Sequence, residues 1–180
     1  MKILILGMGN PILSDDGIGL RLAERLRKKI RGADVQMNAM VGLNLLDQII
    51  GYDRIFIIDA MTSPGGHIGE MRVITETNGL GSFHLFSSHG INIFDLMDLG
   101  KRCGYEVPEL AAVYGIEIGN DVAFGKELSL CLQRCLNSLE DTIISDMLGR
   151  EPSLETIPRR PLPHSCKTGS PAHGSSMSRG

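Results

Sequence analysis

Two short stretches restrict the architectures open to this chain more than anything else in it. "KILIL", residues 2–6, and "RIFIIDA", residues 54–60, are runs of branched and apolar side chains with no polar alternation. A strand with one wet face alternates polar and apolar positions. A strand that is apolar on both sides must be covered on both sides, which is the condition inside a parallel sheet with helices over each face. Helical patterns fall between these runs. Ile18, Leu22, Leu26 and Ile30 recur every four residues after Gly17, with Arg21, Arg25 and Lys29 on other faces and Gly32 as the stop. Further along, 35–41 reads as a weaker strand and 43–50 as a short helix. A strand at 70–75 follows the Pro64-Gly65-Gly66 turn, with a helix at 91–103, a strand at 110–116 and a long last helix at 126–148. The alternation predicts an α/β fold: a single three-layer domain with a mostly parallel sheet and helices on both faces.

At 180 residues with 42% hydrophobic composition, the chain is long enough for one domain with a sizeable core. It has no Trp and only 4% aromatic residues, so that core must be aliphatic. The longest apolar runs, such as 55–58, are far too short to cross a bilayer. Asn10 and Pro11 interrupt the opening apolar run before a signal-peptide core can form, so a cytoplasmic protein without membrane association is expected. A net charge of −3 gives no electrostatic reason to expect nucleic acid as a partner. Of the four cysteines, Cys103, Cys131, Cys135 and Cys166, none forms a C-x-x-C pair. Cys131 and Cys135 share a helix face but lack companions for a metal site, so the cysteines read as small buried or half-buried apolar residues.

Composition changes near Gly149. Residues 151–180 hold five of the eight prolines and six serines, with four Lys/Arg against two Glu and almost no periodicity. Such a segment buries too little apolar surface to offset the entropy of ordering it. The expected division is therefore a folded domain over 1–149 and a disordered Pro/Ser-rich tail over 150–180, removable without loss of stability.

The most informative loop is "GMGNPILSDDGIG", residues 7–19, between the first strand and the first helix. A strand, Gly-x-Gly and a helix is the setting of a dinucleotide-binding turn. Here Ile12 stands where the third glycine belongs, Pro11 removes an N–H from the turn, and no acid ends the second strand for a ribose. No Gly-Lys-Ser/Thr follows either, so no nucleotide cofactor is expected. Asp15 and Asp16 remain. Both suit the first turn of a helix, where carboxylates meet the positive end of the dipole. A second adjacent acid, with Gly17 and Gly19 clearing space beside it, also fits close approach by a ligand. Asp59 ends an apolar strand, and the carboxyl ends of parallel strands form the ligand crevice in such sheets. His89 lies in the polar turn "SSHG" ahead of a helix, whereas His67 and His84 sit in ordinary loop surroundings. Asp16, Asp59 and His89 are expected at one rim of the sheet. Two carboxylates and an imidazole there would suit a divalent transition ion, leaving open positions for substrate.

The 7–19 loop resembles the amino-terminal signature of the hydrogenase maturation endopeptidases, proteases that process the large subunit of nickel–iron hydrogenases. "IIDA" and "SSHGINIFDLM" follow in the order of that family's second and third motifs, so the resemblance spans about residues 1–145. It implies a twisted mixed sheet flanked by helices, of phosphorylase/hydrolase-like type, with Asp16, Asp59 and His89 as the metal-contacting residues. It also implies removal of a carboxyl-terminal peptide from a large-subunit precursor after nickel insertion, with the nickel carried by the substrate. Where many members have an Asp-Gly-Gly-Thr-like loop, this chain has Met37-Asn38-Ala39-Met40. A non-catalytic nickel-sensing chaperone would use the same three residues only to bind. A peptidyl-tRNA hydrolase-like esterase would share the Gly-Asn-Pro turn, but the negative charge and the paired acids disfavour it.

Overall fold

The computed structural model describes residues 1–39, 43–75, 93–120 and 123–157, and the backbone alone at 84–85. β1 (Ile3–Met8) is buried along its whole length and pairs in parallel with β3 (Asp34–Asn38) on one side and β4 (Arg54–Thr62) on the other. β7 (Glu109–Glu117) continues the parallel set beside β4. The polarity then reverses: β5 (Met71–Ile74) runs antiparallel to β7, and β6 (His84–Leu85) antiparallel to the end of β4. The order is β3-β1-β4-β7-β5, a mostly parallel sheet as the apolar runs imply, with β5 antiparallel at the β7 edge and β6 antiparallel against the end of β4.

Both faces are covered. Side chains of one parity, including Ile5, Phe56, Ile58, Tyr114 and Ile116, pack with α1 (Ile18–Arg27) and α4 (Leu130–Arg150). Those of the other parity, including Leu4, Leu6, Ile55, Ile57 and Val113, pack with α2 (Asn44–Ile49) and α3 (Ile93–Arg102). Phe56 stacks on Tyr114, ring centroids 6.4 Å apart. The two helices of the first layer are also tied by charge: Glu140 of α4, fully buried, meets Arg25 and Lys29.

Three expectations change. Ile30 leaves the helix, because α1 stops at Arg27 and Ile30 enters a short strand, β2 (Ile30–Arg31). The long last helix begins at Leu130 rather than at 126, after its Ser129 cap. Cys103 and Cys131 are exposed, and Cys135 alone of the described cysteines is partly packed into the core. Among the described residues no helix is long and apolar enough to cross a membrane.

The carboxyl-terminal boundary also moves. Residues 151–157, expected in the tail, fold back onto the domain. Their strand β8 (Glu155–Thr156) pairs antiparallel with β2, and Leu154 is 3% exposed within the α1/α4 core. Glu151 is buried and takes a 2.9 Å hydrogen bond from Arg54 Nη1, while the Ile157 N–H donates to the Lys29 carbonyl at 2.6 Å. A lone buried leucine in a Pro-containing stretch has no periodicity to announce it. Residues 158–180, with Cys166, lie outside the described residues.

Candidate active site

The 7–19 loop takes its shape from two glycines. Gly9 has φ +139°, and a side chain there would run into the Asp16 carbonyl. Gly19 lies against the Met8 and Ile58 carbonyls, so the start of α1 presses directly onto β1 and β4. The space beside the acids, which suggested an approaching ligand, is thus taken at Gly19 by the protein's own strands. After Gly9 the chain turns through a 3-10 segment (Ser14–Gly17), and Gly17 becomes the amino-terminal cap of α1 without a side-chain bond.

The two adjacent acids then part company. Asp15 does not cap its own helix. Its Oδ1 accepts the Ser129 N–H at 2.6 Å, so it binds the cap residue of α4, 114 residues away. Asp16 is 3% exposed and turns inward, where its Oδ2 accepts the Asn10 N–H at 2.7 Å. Its Oδ1 is buried with no hydrogen-bond partner among the described residues. A bare carboxylate oxygen in a closed environment costs free energy unless something completes it. Burial raises the Asp16 carboxyl above its ordinary range, and the Asn10 bond only partly opposes this.

Asp59 comes from the neighbouring strand. It sits near the carboxyl end of β4, 1% exposed, aligned with Gly115 of β7, and its Oδ1 accepts the Ala60 N–H at 2.8 Å. Burial pushes its pKa up to about 8; the Ala60 bond lowers it and the nearby Asp16 charge raises it further. The structure therefore brings Asp16 and Asp59 within electrostatic reach of each other. Two carboxylates whose ionisation is disfavoured by burial gain from a cation that lets both carry charge. The bare Asp16 oxygen and the hard oxygen donors suit a divalent ion with oxygen or mixed nitrogen and oxygen ligands. His89, the expected third member, lies outside the described residues; within them no group of three His, Cys, Asp or Glu side chains is placed to hold a metal ion. His67 lies in the β4–β5 loop, and at His84 only the backbone is described.

Sequence reasoning missed Glu117. This buried acid ends β7, aligned with Met61 two residues beyond Asp59. It accepts both the Ser63 N–H at 2.6 Å and the Ser63 hydroxyl at 2.8 Å, fixing the loop that leaves β4. The clue was available in "VYGIE", an apolar strand that ends in a carboxylate just as "RIFIID" does.

The family model described as hydrogenase maturation protease matches residues 20–145. The hydrogenase 2 maturation protease of Escherichia coli K12 is 25% identical over 168 residues, spanning 90% of this chain and 99% of that protein. The solved E. coli hydrogenase maturating endopeptidase HybD superposes with a TM-score of 0.70 at 24% identity, over 88% of this chain and 98% of that one. A nickel–iron hydrogenase maturation protease HybD from Thermococcus kodakarensis gives 0.64 at 25% identity, over 81% and 98%. With a family match across more than half its length and a sheet of the same architecture, the chain belongs to the hydrogenase maturation protease family, hydrolases of peptide bonds.

Proposed function

We propose that this protein removes the carboxyl-terminal extension of a nickel–iron hydrogenase large-subunit precursor once nickel is in place, and that Asp16, Asp59 and His89 contact that nickel. The observation that carries the reading is the buried Asp16–Asp59 pair, with one Asp16 oxygen left without a partner among the described residues. The nickel arrives as part of the substrate, so the protein needs a site that is incomplete until the right precursor is present. Two carboxylates whose ionisation burial disfavours fit this requirement: the cation of a loaded precursor favours their charged forms, and an unloaded precursor offers no such gain. A bound divalent ion supplies a Lewis acid beside the peptide to be cut. Asp16 and Asp59 hold and orient it, the Asn10 N–H fixes the Asp16 rotamer, and Glu117 holds the loop beyond Asp59.

Purified protein is incubated with nickel-loaded and nickel-free precursor, and the products are followed by intact mass. Loss of a carboxyl-terminal fragment from the loaded precursor alone is expected. Stable complex formation with no mass change would favour a maturation chaperone, and equal cleavage of both forms would remove nickel from the recognition step.

A further inference from the structure

A groove of about 430 Å³ opens on the outer side of the 7–19 loop, away from any role assigned so far. Pro11, Ile12 and Leu20 supply its apolar lining, and Arg21 and Lys126 its charge. We propose that this groove docks a segment of the protein substrate that carries a carboxylate beside an apolar side chain, a recognition surface separate from the buried acids. The proposal rests on the processing function above, because it assigns the occupant to that substrate.

Three observations support it. First, the groove is preformed. The Ser14 N–H donates to the Gly125 carbonyl at 2.8 Å, the Gly125 N–H to the Ile12 carbonyl at 3.0 Å, and the Ser14 hydroxyl to the Glu127 carbonyl at 2.9 Å. Arg21 Nη2 adds a 2.7 Å bond to the Lys126 carbonyl. A wall stitched this way loses little entropy when a partner arrives. Second, a large apolar side chain of the lining stands in water: Ile12 is 55% exposed, and Phe124, the sequence neighbour of the Gly125 whose N–H donates to the Ile12 carbonyl, is 87% exposed. Aromatic and aliphatic groups left out beside a shaped groove are the usual anchors of a protein interface. Third, the charge is of the complementary kind. The chain as a whole is −3, yet two cations face this groove. The Arg21 ion pair with Glu127 is long, at 3.8 Å, and exposed, and Lys126 makes none among the described residues. Lys126 remains available to a carboxylate on the partner, with the Arg21 guanidinium held beside it by the Lys126 carbonyl.

The groove also has a route to the site. Asn10, at the head of the loop forming its wall, donates the N–H that holds Asp16. A partner seated there presses on the segment that positions the acid, so docking places the precursor one loop away from the Asp16–Asp59 pair.

The test measures binding apart from cleavage. The purified precursor is titrated against wild-type protein, Lys126→Glu, Lys126→Arg and Phe124→Ala at about 50 and about 300 mM salt, with melts of every variant. Wild-type affinity is expected to fall with salt. Lys126→Glu should weaken binding by about 10-fold or more and flatten the salt dependence, Phe124→Ala should weaken it at both salts, and Lys126→Arg should keep it. Affinities within about twofold of wild type for Lys126→Glu and Phe124→Ala would overturn the docking surface, whatever the cleavage result. Intact binding without cleavage by the wild type would instead count against the processing role. Self-association that Phe124→Ala abolishes, with precursor binding unchanged, would assign the groove to a second copy of the chain and refute the proposal.

Discussion

Ending the chain after Arg150 leaves α4 complete and removes residues 151–180, of which 151–157 fold back onto the domain. Leu154, at 3% exposure, packs among α1 and α4 side chains. A buried leucine cut to alanine costs about 2–5 kcal/mol, and this one sits at the domain edge, where neighbours can partly close the gap, so about 2–3 kcal/mol is expected. In a protein of this size about 1 kcal/mol moves the melting midpoint by roughly 2–4 °C, so Leu154→Ala should lower Tm by about 4–12 °C. The truncation removes more than Leu154. It takes away the Glu151 carboxylate that Arg54 reaches at 2.9 Å, leaving that guanidinium, 24% exposed, with the exposed Glu109 as its one remaining ion-pair partner among the described residues. It also frees the Lys29 carbonyl and the β2–β8 pairing. Ordering seven residues costs conformational entropy that the truncated chain no longer carries, which offsets part of the loss. The truncation is therefore expected to fall at least as far as Leu154→Ala. A second chain ending after Ile157 should melt within a few degrees of the full protein, because residues 158–180 have the composition of a segment with little to bury. Scanning calorimetry of all four proteins decides the matter. If the chains ending after Arg150 and after Ile157 melt together, residues 151–157 contribute nothing and the reasoning from burial fails.

The remaining predictions concern the site. On nickel-loaded precursor, Asp16→Asn, Asp59→Asn and His89→Ala should each lower cleavage by about 100-fold or more, as a ligand set fails as a unit. Asp15→Asn should cost only about 1 kcal/mol or less of stability at the α4 cap, and near-normal cleavage by Asp16→Asn would reverse the assignment. In chelator, stability should fall as pH rises from about 5 to about 8: the folded protein keeps a proton on Asp59 that the unfolded chain has released, a slope of up to about 1.4 kcal/mol per pH unit. The lowered carboxyls Glu140, Asp146 and Glu151 act in the opposite sense, but only near and below their ordinary acidic range. Asp59→Asn should flatten the slope and melt above the wild type at pH about 8; an unchanged slope would contradict the burial of Asp59. Glu117→Ala removes the acceptor of two Ser63 hydrogen bonds and should destabilise by about 1.5–3 kcal/mol, which urea unfolding would read as a lower midpoint.

The sequence by itself determined the layers of this protein. "KILIL" and "RIFIIDA" are apolar on both sides, and such strands have no stable place except in a sheet covered twice. Ile18, Leu22 and Leu26 mark a helix because each lies a turn from the next. Asp59 was legible for the same local reason, as a carboxylate at the end of a strand that is otherwise apolar. What the tertiary structure decided concerns partners distant along the chain. Asp15 and Asp16 are adjacent and chemically alike, and only the arrival of Ser129 at one and of β4 behind the other separates a helix cap from a buried, incompletely bonded acid. Gly19 reads as room for a ligand until β1 and β4 are in place against it. Leu154 and Glu151 read as tail until β2 and Arg54 meet them. Periodicity reports how a residue faces its own element, within a few positions of the chain. Burial, a displaced pKa and the satisfaction of a carboxylate are set by whatever the fold brings from elsewhere, and no local pattern encodes it.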